Sequence, residues 1–168
     1  MNELGDPAGY RLAYEAELKA NEEQAASLRE IRDRTGTLLS IALLTGGLVA
    51  GLATIGTGSP VLGDTGFAGG VLVGTAILSI AIITISVWRP AEVSFSIDGA
   101  VIIGSYLEGE QALQEAELHR ELALHLNDNG QTNRIVLSTT LRSFRTGLVM
   151  MLLEVLGVAL MLWDIANG

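Results

Sequence analysis

The sequence predicts an all-α integral membrane protein: three transmembrane helices with a cytoplasmic helical layer, N-terminus inside and C-terminus outside. Three observations predict it. Apolar residues make up 49% of the 168 residues against 17% charged, too apolar a balance for a soluble fold of this size. They gather in three blocks, at 37–56, 67–88 and 147–163. All ten Lys and Arg residues lie either before the first block or between the second and third.

A hydrocarbon core about 30 Å thick takes roughly 20 helical residues at about 1.5 Å each. The first two blocks meet this without a charge. The third is shorter and contains Glu154; it spans if Ser143 and Thr146 extend it while Arg142 and Arg145 snorkel to the headgroups. The first 36 residues are polar, which argues against a cleaved signal peptide and for a first span retained as an anchor. The chain has no cysteine, so disulfides and thiol chemistry are excluded, and a net charge of −9 argues against nucleic acid as a partner.

Arg11, Lys19, Arg29, Arg32 and Arg34 precede the first span, and Arg89, Arg120, Arg134, Arg142 and Arg145 lie between the second and third. The 57–66 loop and the tail after Trp163 carry none. The positive-inside bias therefore places residues 1–36 and 89–146 in the cytoplasm around a 37–88 hairpin, with 147–168 forming the third span and a short external tail. Trp88 and Trp163 close their spans where amphipathic rings favour the interface, core packing being the alternative. The expected location is the cell's inner (cytoplasmic) membrane, multi-pass.

Helix formers run from Tyr10 to about Arg34, with Tyr14, Leu18, Asn21, Ala25 and Leu28 forming one seam interrupted by a polar residue. That seam packs either on a helix of the same chain or on a second copy. Gly47 and Gly51 in the first span, and Gly66, Gly70 and Gly74 in the second, recur at steps of four. In lipid, where helices associate by close approach at small residues, they predict a tight antiparallel hairpin through these faces. Subunit contacts are the other reading.

Between the second and third spans, residues 93–103 read either as a β-hairpin turning at Asp98 and Gly99 or, preferably, as a helix capped by Asp98 and ending at Leu107. A second helix is expected over 110–126, with Leu118, Leu122 and Leu126 on one face. Asn127, Asp128, Asn129 and Gly130 form the strongest breaker cluster in the chain, and a helix resuming at Gln131 is expected to run on into the third span.

Glu154 lies about 10 Å inside the apolar stretch, where ionisable groups are rare and face a partner or a water-filled cavity. It is either a pore-lining or gating carboxylate or a neutral acid bonded to Thr45, Thr75, Ser79 or Thr84 and holding the bundle together. His119 and His125 are six apart, on nearly opposite sides of a helix, and suit pairing with Glu115 and Glu121 better than a metal. No phosphate loop, nucleophile triad or paired-carboxylate set occurs in the sequence, so no catalytic residue, cofactor or metal ligand is expected.

The run Ile31, Arg32, Asp33, Arg34, Thr35, Gly36, Thr37, Leu38, Leu39, Ser40, Ile41, Ala42 enters the first span after a basic-flanked amphipathic helix. A hairpin follows, ending Trp88, Arg89, Pro90, then an acidic helix and a helix containing Asn133 that feeds the last span. This arrangement resembles the small transmembrane effectors of bacterial Pycsar-type anti-phage defence and, more loosely, the SLATT-type membrane effectors. The third span and the short middle loop depart from the two-span SLATT pattern. The resemblance implies a non-enzymatic homo-oligomer that damages the inner membrane when a cyclic nucleotide appears. No ligand residue carries over by motif; Arg120, Arg134 and Arg142 are candidates to meet a phosphate, the alternative being pairing with neighbouring Glu or with lipid headgroups. Two rival functions remain at this level: a scaffold whose N-terminal seam recruits a cytoplasmic partner, and a small channel or transporter subunit using Glu154.

Overall fold

A computed structural model of the chain describes residues 7–55, 63–89, 93, 95, 100, 102–107 and 113–167. Three long helices dominate: α1 (Pro7–Ile55), α2 (Asp64–Trp88) and α3 (Glu115–Asn167). A six-residue π-helical turn, Ile102–Leu107, lies between α2 and α3. No strand occurs among the described residues. Each long helix contains a stretch long and apolar enough to cross a membrane.

Pro7 starts α1, a position where its missing N–H costs nothing. The helix then passes through Gly36 unbroken and joins the two segments that the sequence divides at 36/37. The hydroxyls on this stretch fold back on the helix: Thr35 donates to Ile31 O at 2.7 Å, Thr37 to Asp33 O at 3.0 Å and Ser40 to Gly36 O at 3.1 Å.

The largest departure from expectation is in α3. The helix starts at Glu115, not 110, with Leu113 N donating to Tyr106 O at 3.0 Å and Leu118 N to Gln114 O at 2.8 Å. It then runs straight through Asn127, Asp128, Asn129 and Gly130, where the sequence predicts a break. Those four residues together cost about 3 kcal/mol in helix propensity relative to alanine, so contacts from elsewhere must hold them. The continuation from Gln131 into the third apolar stretch is as expected. In the 93–103 stretch, Val93 and Phe95 are neither strand nor helix and Ile102–Leu107 is helical, while the proposed Asp98 cap and the turn at Gly99 lie outside the described residues.

Contacts divide the chain into two compact units, to each of which α1 and α3 contribute: Met1–Arg29 with Pro90–Thr139, and Glu30–Arg89 with Thr140–Gly168. In the first, the N-terminal seam packs on α3 of the same chain. Asn21 and Leu28 of α1 are buried, as are Leu122, Leu126 and Asn133 of α3, and the Tyr14 and His119 rings lie 5.6 Å apart.

In the second unit all three helices meet. Leu38, Ala42 and Ile80 form one buried cluster with Met150 and Met151 against it; Val49, Val73 and Met161 form another with Val158. Outside these clusters, Leu44, Leu48, Phe67, Leu78, Ile85 and Leu152 are each at least 63% exposed. An outward apolar surface of this extent on all three helices suits lipid and not water. Trp88 and Trp163 are exposed, so neither packs in the core.

Candidate functional site

The interior of the second unit is built on glycines, and the tightest contacts fall on others than those that recur at steps of four in the sequence. A Cβ added to Gly69 would lie 2.6 Å from Gly157 O and 3.0 Å from Met161 N, and one added to Gly157 would lie 2.8 Å from Gly69 O. Here α2 and α3 touch backbone to backbone. Gly147 meets Leu38 Cδ2 at 3.0 Å on the same terms, and Gly46 meets Ile77 Cδ1 at 2.6 Å. A Cβ added to Gly47, Gly51 or Gly74 would meet nothing within 4 Å among the described residues, so these three positions do not make the close α1–α2 approach expected of them within the single chain. Gly66 is buried, and Gly70 approaches only Met161 Sδ of α3, at 4.0 Å. The close approach is between α2 and α3 because Gly157 offers a second bare backbone for Gly69 to meet, whereas in α1 the Gly46 position is filled by the Ile77 side chain.

Glu154 sits among these contacts. Gly147, Glu154, Gly157 and Met161 share the buried face of α3, and Glu154 itself is 1% exposed. Its Oε1 lies 3.9 Å from where a Gly46 Cβ would be, beside Val73 and Ile77. Both carboxyl oxygens are buried with no hydrogen-bond partner among the described residues. Two of the four partners expected for it donate elsewhere, Ser79 to Thr75 O at 2.8 Å and Thr84 to Ile80 O at 2.8 Å; Thr45 is half-buried and Thr75 exposed. An ionisable group buried in this way costs stability, which makes Glu154 the candidate site.

Two further polar features escape sequence reasoning. Both ends of α2 are held by side chains from other helices. At its N-terminus the Gly63 N–H donates to Asp164 Oδ2 of α3 at 2.7 Å; at its C-terminus Arg32 of α1 donates through Nε to Val87 O at 3.1 Å and through a terminal nitrogen to Arg89 O at 3.4 Å. An anion at the start and a cation at the end match the helix dipole.

In the first unit, an amide layer joins α1 to α3. Asn21 Nδ2 donates to Leu126 O at 3.1 Å and to Glu17 O at 3.0 Å, and Asn21 Oδ1 accepts from Asn133 Nδ2 at 3.3 Å. Gly130 faces this layer: a Cβ there would make ordinary contact with Asn21 Oδ1 at 3.6 Å and Gln24 Nε2 at 3.8 Å. Gln24 Oε1 and Asn129 Nδ2 are buried without a hydrogen-bond partner among the described residues.

The arginines proposed for a phosphate are not gathered. Arg120 pairs with Glu121 at 2.8 Å on an exposed surface, and Arg134, also exposed, is about 21 Å further along the helix axis. Arg142, exposed as well, belongs to the other unit. Glu121 pairs with Arg120 and not with His125.

No protein-family model, curated protein or solved structure matches the chain.

Proposed function

We propose that this chain is a non-enzymatic effector of the bacterial inner membrane, oriented with its N-terminus in the cytoplasm, that oligomerises and perturbs the bilayer in response to a cytoplasmic signal. The observation that carries this reading is the continuity of α1 and α3. Each runs without interruption from a polar, charged stretch into an apolar one. A change in how the polar stretches pack is then passed to the spans, because an unbroken helix couples its two ends. A protein that only anchored itself would not need two such connections.

The trigger we propose is a cyclic nucleotide, and the setting anti-phage defence; both rest on the family resemblance of the sequence. Purified protein in dye-loaded liposomes, challenged with a panel of cyclic mononucleotides, tests the reading. Dye release only in the presence of one of them is the expected result. Silence toward every member removes the nucleotide trigger, and a stable complex with a soluble protein with no leak favours the scaffold.

A second reading draws on Glu154. A fully buried carboxyl without a hydrogen-bond partner among the described residues is the sort of group that channels and transporters place on an ion path. Ion flux through liposomes without any added ligand, lost in Glu154→Gln, would favour that function.

A further inference from the structure

We infer that α3 contains a latent joint at residues 127–130, splinted shut by one side chain of α1, Asn21. The inference deepens the proposed function and rests on it for the joint's purpose, but the joint itself is a property of the chain.

Asn127, Asp128, Asn129 and Gly130 are poor helix formers in succession, and they lie in the interior of a 53-residue helix. An isolated helix of this sequence would open there first. Asn21 spans that weak run. Its amide nitrogen holds Leu126 O, the last carbonyl before the run, and its amide oxygen holds Asn133 Nδ2, three residues after it. One side chain therefore grips α3 on both sides of the four residues least able to keep their own helical shape. Asn21 is itself fixed, being fully buried and bonded back to Glu17 O one turn earlier in α1.

The splint is also an incomplete one. Gln24 Oε1 and Asn129 Nδ2 are left buried without partners among the described residues, so the layer is not at its most stable hydrogen-bonded arrangement. Gly130 is not required by a collision, since a Cβ there would make only ordinary contacts at 3.6 Å and 3.8 Å. An alanine would fit and would stiffen the helix; the glycine keeps the run weak. A ligand or partner that shifts α1 along α3 withdraws Asn21 from both contacts at once, and α3 changes from a rigid lever into two segments joined at 127–130.

Hydrogen exchange on the full-length protein in lipid nanodiscs reads this without reference to activity. With Asn21→Ala, amides 127–131 should exchange about tenfold faster, the effect of losing a buried bonded pair, while amides 150–160 stay unchanged. Gly130→Ala should slow amides 127–131 about fivefold, and the double variant should return toward the wild-type rate. Unchanged exchange at 127–131 in Asn21→Ala overturns the inference, as does a uniform acceleration along all of α1 and α3. Should Asn21→Ala not fold, Gly130→Ala decides alone: slowed exchange confined to 127–131 supports the joint and unaltered exchange overturns it. Exchange that behaves as stated in a protein that never releases liposome contents leaves the joint standing and removes only the function proposed for it.

Discussion

Asp164 and Gly63 are 101 residues apart, yet the Asp164 carboxylate accepts the Gly63 N–H at 2.7 Å and so caps α2 from the far end of α3. A negative group at a helix N-terminus satisfies an orphan N–H and opposes the positive end of the dipole. Asp164→Ala should lower the stability of the three-helix unit by about 1 kcal/mol, and Asp164→Asn, which keeps an acceptor, should lower it by less. Thermal unfolding in detergent with a helical circular-dichroism readout measures both. Equal losses for the two variants would show that the charge, and not the hydrogen bond, does the capping.

Arg32 performs the converse task at the other end of α2, donating to Val87 O and Arg89 O. The guanidinium is half-buried, and a charge-assisted hydrogen bond there is worth about 1–2 kcal/mol. Arg32→Ala should lose that much, while Arg32→Lys recovers part of it, because an ammonium can reach one carbonyl but not fork between two. Faster hydrogen exchange at amides 85–89 in Arg32→Ala, without change at 64–70, would locate the effect.

Gly157 and Gly47 should respond in opposite ways to the same substitution. A Cβ on Gly157 collides with Gly69 O at 2.8 Å and with Leu72 Cβ and Val73 Cγ2 at 3.0 Å, and the first of these is backbone that cannot step aside. Gly157→Ala should destabilise by about 1–3 kcal/mol through overpacking. Gly47→Ala meets nothing within 4 Å and should leave the single chain at least as stable. If Gly47→Ala leaves monomer stability intact yet abolishes crosslinking between copies, the outward glycines serve assembly.

The contrast explains which parts of the fold were readable from residues alone. The three long apolar helices stood out because composition over some twenty residues sets them, and Glu154 stood out because a carboxylate in such a stretch is rare. The choice of contact glycines did not. The sequence offers neighbouring pairs, Gly46 with Gly47 and Gly69 with Gly70, whose members point about 100° apart on a helix. Spacing cannot tell which of each pair faces inward; Ile77, Gly157 and Met161 decide that in three dimensions. The continuity of α3 through 127–130 was unreadable for a similar reason. Local propensity predicts a break, and the contacts that prevent it come from Asn21, more than a hundred residues earlier.

Glu154 gives the sharpest separation of stability from function. If the carboxyl held the bundle together through hydrogen bonds, an apolar replacement would weaken it. Instead both oxygens are buried with no partner among the described residues, so the carboxyl contributes a desolvation cost with no bond in return. Glu154→Met has a similar length and flexible packing, and should raise the stability of the three-helix unit by about 1–3 kcal/mol. Glu154→Gln keeps the buried polar group and should change stability little. Thermal unfolding of the three proteins in the same detergent gives the order Met above Gln and wild type. A less stable Glu154→Met would mean that the carboxyl has a partner, such as a second copy of the chain, that the single chain does not supply. A more stable Glu154→Met that no longer perturbs liposomes would show that the group is kept for what it does and not for the fold it weakens.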